Sequence, residues 1–115
     1  MRPEARKFLY DIQKACDHVA QFTAGRDLSE YRADALLRSA VERQFEIVGE
    51  AMSRMLKLDP AMADAIGEAR RIVAFRNILI HGYAAISPEV VWDVVQRDLP
   101  RLRTQVDALL GPPGA

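Results

Sequence analysis

The spacing of its apolar residues constrains the fold of this chain more than any other feature. In each long segment these residues recur at steps of three and four, which is the repeat of one face of an α-helix. No segment alternates apolar with polar residues as a half-buried strand does, and no internal repeat or low-complexity block is present. We therefore predict an all-α fold, an antiparallel bundle of about four or five helices.

Local signals indicate where the first helices begin and end. The first helix is predicted over residues 3–22, and a long second helix over about residues 33–57. Between them, Asp27 or Ser29 is expected to cap a short turn or helical start. A further short helix is predicted at residues 61–65, before the next apolar segment.

The last helix has a well-defined start and a predicted irregularity. Ser87 suits the N-cap position and Pro88 the first helical position. Pro100 lies inside the same apolar pattern, so we expect it to kink or divide the helix. We predict one domain over residues 1–110 and a flexible tail at 111–115.

The charges of the chain balance, with 16 lysines and arginines against 16 acidic residues. A tight nucleic-acid binder usually carries an excess of basic residues, so any contact with nucleic acid would have to be local. Some charges are spaced to pair along a helix, as Glu50 and Arg54 are.

Nothing in the sequence predicts export or membrane insertion. The first residues lack the apolar core of a signal peptide, and no apolar run approaches 18 residues, so a cytoplasmic protein is expected. The single cysteine, Cys16, cannot form an internal disulfide and is expected in the core of the first helix. His18 has no metal-ligand spacing around it and is predicted to be a surface or capping residue.

An arginine and a histidine interrupt the apolar segment that begins at Arg71. On a helical wheel, Arg76 and Tyr83 lie within the apolar arc, with Asn77 and His81 at its border. A guanidinium keeps its charge in a protein, so it must reach a partner, an interface or a ligand. Alternatively, Arg76 extends to solvent, Tyr83 is an aromatic residue at the rim, and His81 is an ordinary polar residue with its hydrogen bonds satisfied. Spacing alone leaves both interpretations open.

The long second helix carries a stripe of acidic and small residues. Gly49 and Ser53 are small enough for another helix to approach closely, and Glu46 or Glu42 could then form an ion pair with an arginine such as Arg76, for example at an interface. The alternative is that these acids form a solvated helix face.

Three stretches together resemble a known family. Arg76, His81 and Tyr83 form the Arg-x4-His-x-Tyr motif of HEPN-domain ribonucleases, in the HepT-like toxin branch, with asparagine directly after the arginine. Residues 39–51 are similar to the second helix of that family, and residues 91–100 to its last helix. The stretches occur in the family's order and cover nearly the whole chain.

The resemblance implies a HEPN-like bundle that dimerises through the motif helix. It also implies a metal-independent endoribonuclease without a cofactor, in which two motif helices form one composite site for RNA. His81 would be the acid and base, Arg76 the ligand of the phosphate and transition state, and Asn77 an orienting hydrogen-bond partner. The 2′-hydroxyl of the RNA would be the nucleophile, and 2′,3′-cyclic phosphate ends would result.

The resemblance gives Tyr83 a regulatory role. In a type VII toxin-antitoxin system of this kind, a minimal nucleotidyltransferase antitoxin transfers AMP to this tyrosine or binds the toxin directly. A nucleotide on Tyr83 would bring phosphate charge to the arginines and block the cleft. The alternative is a tyrosine that fixes the end of the motif helix through its hydroxyl.

Two other classes of function stay open. The chain could be a non-catalytic helical adaptor, the nucleotide-binding partner subunit of a nucleotidyltransferase, which the balanced charge favours. It could also be a purely structural dimer module. The sequence leaves the RNA target and any assembly beyond a dimer undetermined.

Overall fold

All the regular structure in the described part of the chain is helical. The structure is a computed structural model that describes residues 1–81 and 86–112, apart from the side chain of Ala63. The helices are α1 (Pro3–Thr23), α2 (Leu28–Ala33), α3 (Ala35–Leu58), α4 (Met62–Ala65), α5 (Ala69–His81), α6 (Pro88–Asp93) and α7 (Leu99–Leu110), with a π-helical segment, Val94–Asp98, joining the last two. The predicted all-α bundle is confirmed. No helix among the described residues is long and apolar enough to cross a membrane.

Helix α3 lies at the centre of the bundle. It packs against α1 on one side and α5 on the other, and α1 also packs against α7. The core between these helices consists of fully buried aliphatic and methionine side chains, contributed by Leu9, Ile12, Val19, Val41, Val48, Met52, Met55, Leu102 and Val106. The apolar stripes predicted from the sequence therefore face one another.

The caps explain where the helices begin. Asp27 accepts a hydrogen bond from the backbone N–H of Glu30, whose side chain in turn accepts one from the backbone of Asp27, so α2 begins with a capping box. Asp34 is extended, and its side chain accepts from the N–H of Leu37 at 3.0 Å. Helix α3 therefore begins at Ala35, two residues later than the sequence predicted.

The proline in the last helix has the predicted effect. Pro100 is the second residue of α7, and the turn before it is π-helical. A proline has no N–H to donate, and its ring clashes with the carbonyl of the fourth residue before it. The wider π-turn leaves room for the proline ring beside that carbonyl. Helices α6 and α7 therefore form a divided helix.

Cys16 and His18 lie where the sequence predicted. Cys16 is a buried core residue of α1, and burial raises the pKa of its thiol to about 12. His18 is only partly buried, and its Nδ1 lies 3.3 Å from Oε1 of Gln44 on α3. His18 thus contributes to the surface between α1 and α3.

The contact between α3 and α5 depends on a glycine. A Cβ atom built on Gly49 would lie 2.2 Å from Cβ and 2.5 Å from Cγ of Arg76. Real side chains do not approach so closely, so the two helices can lie at this separation only because position 49 has no side chain. This confirms the predicted close approach at Gly49.

Replacing Gly49 with alanine tests this packing, because the two expected effects have opposite signs. In an open helical position, alanine in place of glycine stabilises by about 1 kcal/mol. At Gly49 we expect a loss of about 1–3 kcal/mol in the free energy of unfolding, since the new Cβ must push α5 away. Urea denaturation followed by circular dichroism measures the difference.

Gly67 provides the matched control, because a Cβ built there has no atom within 4 Å. Gly67→Ala should change the free energy of unfolding little or increase it. If Gly49→Ala is as stable as Gly67→Ala, the close contact between α3 and Arg76 is not a constraint on the fold.

Candidate active site

Helix α5 is only partly covered by the rest of the chain. Of its 13 residues, only Ala69 is buried. Ile78 and Ile80 remain 54% and 44% exposed, although they belong to its apolar pattern. The helix packs on α3 through the face that carries Ala69 and Arg76 and leaves much of its apolar surface uncovered.

Arg76 points into the groove between α5 and α3, where its side chain is 21% exposed. Its Nη2 donates to Oε2 of Glu50, and its Nη1 donates to Oδ1 of Asn77 at 2.8 Å. Its Nε is buried and has no hydrogen-bond partner among the described residues. The guanidinium is therefore held on two sides and keeps N–H groups that a phosphate could accept from.

Glu50 joins two arginines. While its Oε2 accepts from Arg76, its Oε1 accepts from Nε of Arg54 at 2.8 Å. The hydrogen bond from Arg54, together with the charge of Arg76, holds the pKa of this carboxyl below its ordinary value. The predicted pair between Glu50 and Arg54 is confirmed, and the second contact to Arg76 is new.

The carboxylate that contacts Arg76 differs from the expected one. Glu46 or Glu42 was the expected partner, whereas within the chain the contact is with Glu50. Instead, Oε2 of Glu46 lies 3.7 Å from Nη1 of Arg43 on the same helix. The reason is register: Gly49 faces Arg76, so the following residue is the acid within reach. Gly49 marks the point where α5 approaches α3, so its position in the sequence could have identified Glu50 as the partner of Arg76. An ion pair of Glu46 across a dimer interface stays a prediction.

His81 is the second residue of the motif. It is the last residue of α5 and is exposed. It comes five positions after Arg76, which on a regular helix corresponds to about 140° around the axis and about 7.5 Å along it. Within one chain the two side chains therefore leave α5 in different directions. Asn77 is exposed beside Arg76, and Tyr83 lies outside the described residues.

Two grooves flank α5. One has a volume of about 250 Å³ and is mainly apolar, with Phe45, Phe75 and Ile78 in its lining. The other has a volume of about 430 Å³, lies between α5 and the end of α3, and is lined in part by Asn77. No group of three or more histidine, cysteine or acidic side chains that could hold a metal occurs within residues 1–81 and 86–112.

Comparison with known proteins identifies the family. Residues 12–109 match the family described as "Ribonuclease HepT-like". A Methanocaldococcus jannaschii protein named "Putative RNase MJ1380" is 35% identical over 104 residues, which cover 90% of this chain and 94% of that protein. A Thermococcus cleftensis protein named "Probable ribonuclease HepT" is 28% identical over 109 residues, covering 95% of this chain and 98% of that protein. No solved structure gives a significant match. With nearly its whole length matched, the chain belongs to the ribonuclease HepT-like family.

Proposed function

We propose that this chain is an endoribonuclease toxin that acts as a homodimer and cleaves RNA without a metal ion or cofactor. The observation that carries the proposal is the arrangement of α5, which holds Arg76 against α3 and leaves His81 exposed at its end. Membership of the ribonuclease HepT-like family supports the same activity.

RNA carries its own nucleophile, so the protein needs to supply only proton transfers and positive charge. A base removes the proton of the 2′-hydroxyl, O2′ forms a bond to phosphorus, the P–O5′ bond breaks, and an acid gives a proton to O5′. The products are a 2′,3′-cyclic phosphate and a free 5′-hydroxyl. Histidine as a residue type suits either transfer near neutral pH, and arginine binds phosphate through two parallel hydrogen bonds.

Two chains are needed to assemble these groups. One chain contributes one motif histidine, His81, whereas the reaction uses both a base and an acid. Ile78 and Ile80 are exposed on nearly opposite sides of α5, so a second copy beside either side would cover apolar surface. A two-fold axis beside α5 would bring two copies of His81 and two of Arg76 to one cleft, in line with the different directions in which they leave the helix.

Each motif residue has a distinct role in this proposal. Arg76 binds the scissile phosphate and stabilises the charge that develops on it, while Asn77 orients the guanidinium through the hydrogen bond between their side chains. His81 transfers the protons. Glu46 would form an ion pair with an arginine of the other chain and so stabilise the interface.

A cleavage assay tests the proposal. Purified chain should cleave a labelled single-stranded RNA in EDTA, and His81→Ala should reduce the rate by at least about 100-fold, since general acid–base catalysis typically contributes factors of this size. Both proteins are compared at equal dimer concentration, after circular dichroism and light scattering have verified that each is folded and dimeric.

His18→Ala is the matched control, because it removes the other histidine of the chain. It should cleave at the wild-type rate. Equal cleavage by wild type and His81→Ala would contradict the assignment of His81. Binding of a nucleotide or a nucleotidyltransferase without any RNA cleavage would favour the non-catalytic adaptor, which the balanced charge also suits.

We further propose that a minimal nucleotidyltransferase antitoxin neutralises the toxin, as in a type VII toxin-antitoxin system, by transferring AMP to Tyr83 or by direct binding. On transfer, the tyrosine hydroxyl gives its proton to a base of the nucleotidyltransferase, its oxygen forms a bond to the α-phosphorus of ATP, the bond from that phosphorus to the bridging oxygen breaks, and pyrophosphate leaves. An AMP group attached two residues after His81 would compete with RNA phosphate for Arg76.

Mass spectrometry tests the covalent form of this control. Chain co-expressed with its nucleotidyltransferase should gain the mass of AMP on the peptide that contains Tyr83, and Tyr83→Phe should gain none. The modified protein should lose RNA cleavage. An unmodified peptide together with inhibited cleavage would contradict AMP transfer and favour direct binding.

A further inference from the structure

The balanced charge of the chain is unevenly distributed in space. Of 16 lysines and arginines, nine arginines form ion pairs with described acidic residues. Two more, Arg6 and Arg38, donate to backbone carbonyls. Within the described residues, the side chains left with neither kind of partner are those of Arg2, Lys7, Lys14, Lys57 and Arg70.

Two of these five cations line the same groove. Lys57 at the end of α3 and Arg70 at the start of α5 both border the 430 Å³ groove, together with Ser53 and Asn77. No acidic side chain is among its lining residues, in contrast to the groove between α1 and α3, where three acids accompany three cations. The groove beside Asn77 is therefore electropositive.

The helical register connects this groove with the motif. Arg70, Asn77 and His81 lie on one stripe of α5, within about 40° of each other around the axis. Arg70 precedes Asn77 by about 10 Å and His81 by about 16 Å along that axis. A ligand that reaches His81 can thus continue along the same stripe to Arg70.

We propose that the groove formed by Ser53, Lys57, Arg70 and Asn77 is a binding site for the RNA backbone that flanks the scissile phosphate. The proposal rests on the proposed ribonuclease function and adds a second point of contact to it. Arg70 fits a phosphate with two parallel hydrogen bonds, Lys57 adds a point charge, and Ser53 offers a hydroxyl. The site adds positive charge beside Arg76, whose own charge is partly offset by the carboxylate of Glu50.

The salt dependence of RNA binding tests this site. The parent is His81→Ala, which keeps the bound RNA intact, and the probe is a fluorescent single-stranded oligoribonucleotide followed by anisotropy. For single strands, the slope of log K against log salt changes by about 0.7 for each phosphate contact. Adding Lys57→Gln and Arg70→Gln should therefore make this negative slope shallower by about 1.4 and weaken binding roughly tenfold near physiological salt.

The matched control adds Arg2→Gln and Lys14→Gln to the same parent, which removes the same charge from around α1. It should leave the slope close to that of the parent, while Lys57→Arg with Arg70→Lys should retain binding. An equal loss of slope in the control and in the groove variant would overturn the site and indicate a general charge effect. An unchanged slope in the groove variant would also overturn it.

The same set of proteins separates this site from the proposed function. If wild type cleaves RNA and the groove variant binds like the parent, the ribonuclease stands and the site is wrong. If the groove variant loses slope but wild type cleaves nothing, the groove binds RNA, whereas the ribonuclease and the scissile phosphate beside the groove are wrong. If the parent does not bind RNA, the site is wrong.

Discussion

The contact between Gly49 and Arg76 is the constraint on which the rest of the site depends. Because position 49 of α3 has no side chain, α5 lies close to α3. The side chain of Arg76 then passes over Gly49 and reaches Glu50, the next residue of α3. A charged side chain can occupy this groove only with such a partner. The packing that attaches α5 to the bundle therefore also fixes the guanidinium that the proposed reaction needs.

The same packing leaves part of α5 exposed. Only Ala69 is buried in this helix of 13 residues, and Ile78, Ile80 and the terminal histidine are exposed. A helix that leaves large apolar side chains exposed in its own chain is suited to contacts with another molecule. The proposed dimer gives this surface a function, because it covers the apolar residues and brings the second histidine to the first.

Sequence patterns predicted the fold better than the contacts of the site. Apolar spacing gave the helices, and the effect of Pro100 was anticipated because proline chemistry is local. The partner of Arg76 was not predicted, since the choice among Glu42, Glu46 and Glu50 depends on the register between α3 and α5. A binding role of Lys57 and Arg70 was not predicted either, because a cation is identified as unpaired only once its neighbours in space are known. Tyr83 lies outside the described residues, so its role still rests on the motif.

In the proposed dimer one active site contains His81 from two chains, and a mixture of wild-type and variant chains tests this arrangement. Wild-type and His81→Ala chains are unfolded together in equal amounts and refolded at constant total concentration, so that mixed dimers form at random. If each cleavage needs both histidines, only wild-type homodimers are active and the rate falls to about one quarter of that of pure wild type. A rate of about one half would mean that each chain acts alone, and would contradict the composite site.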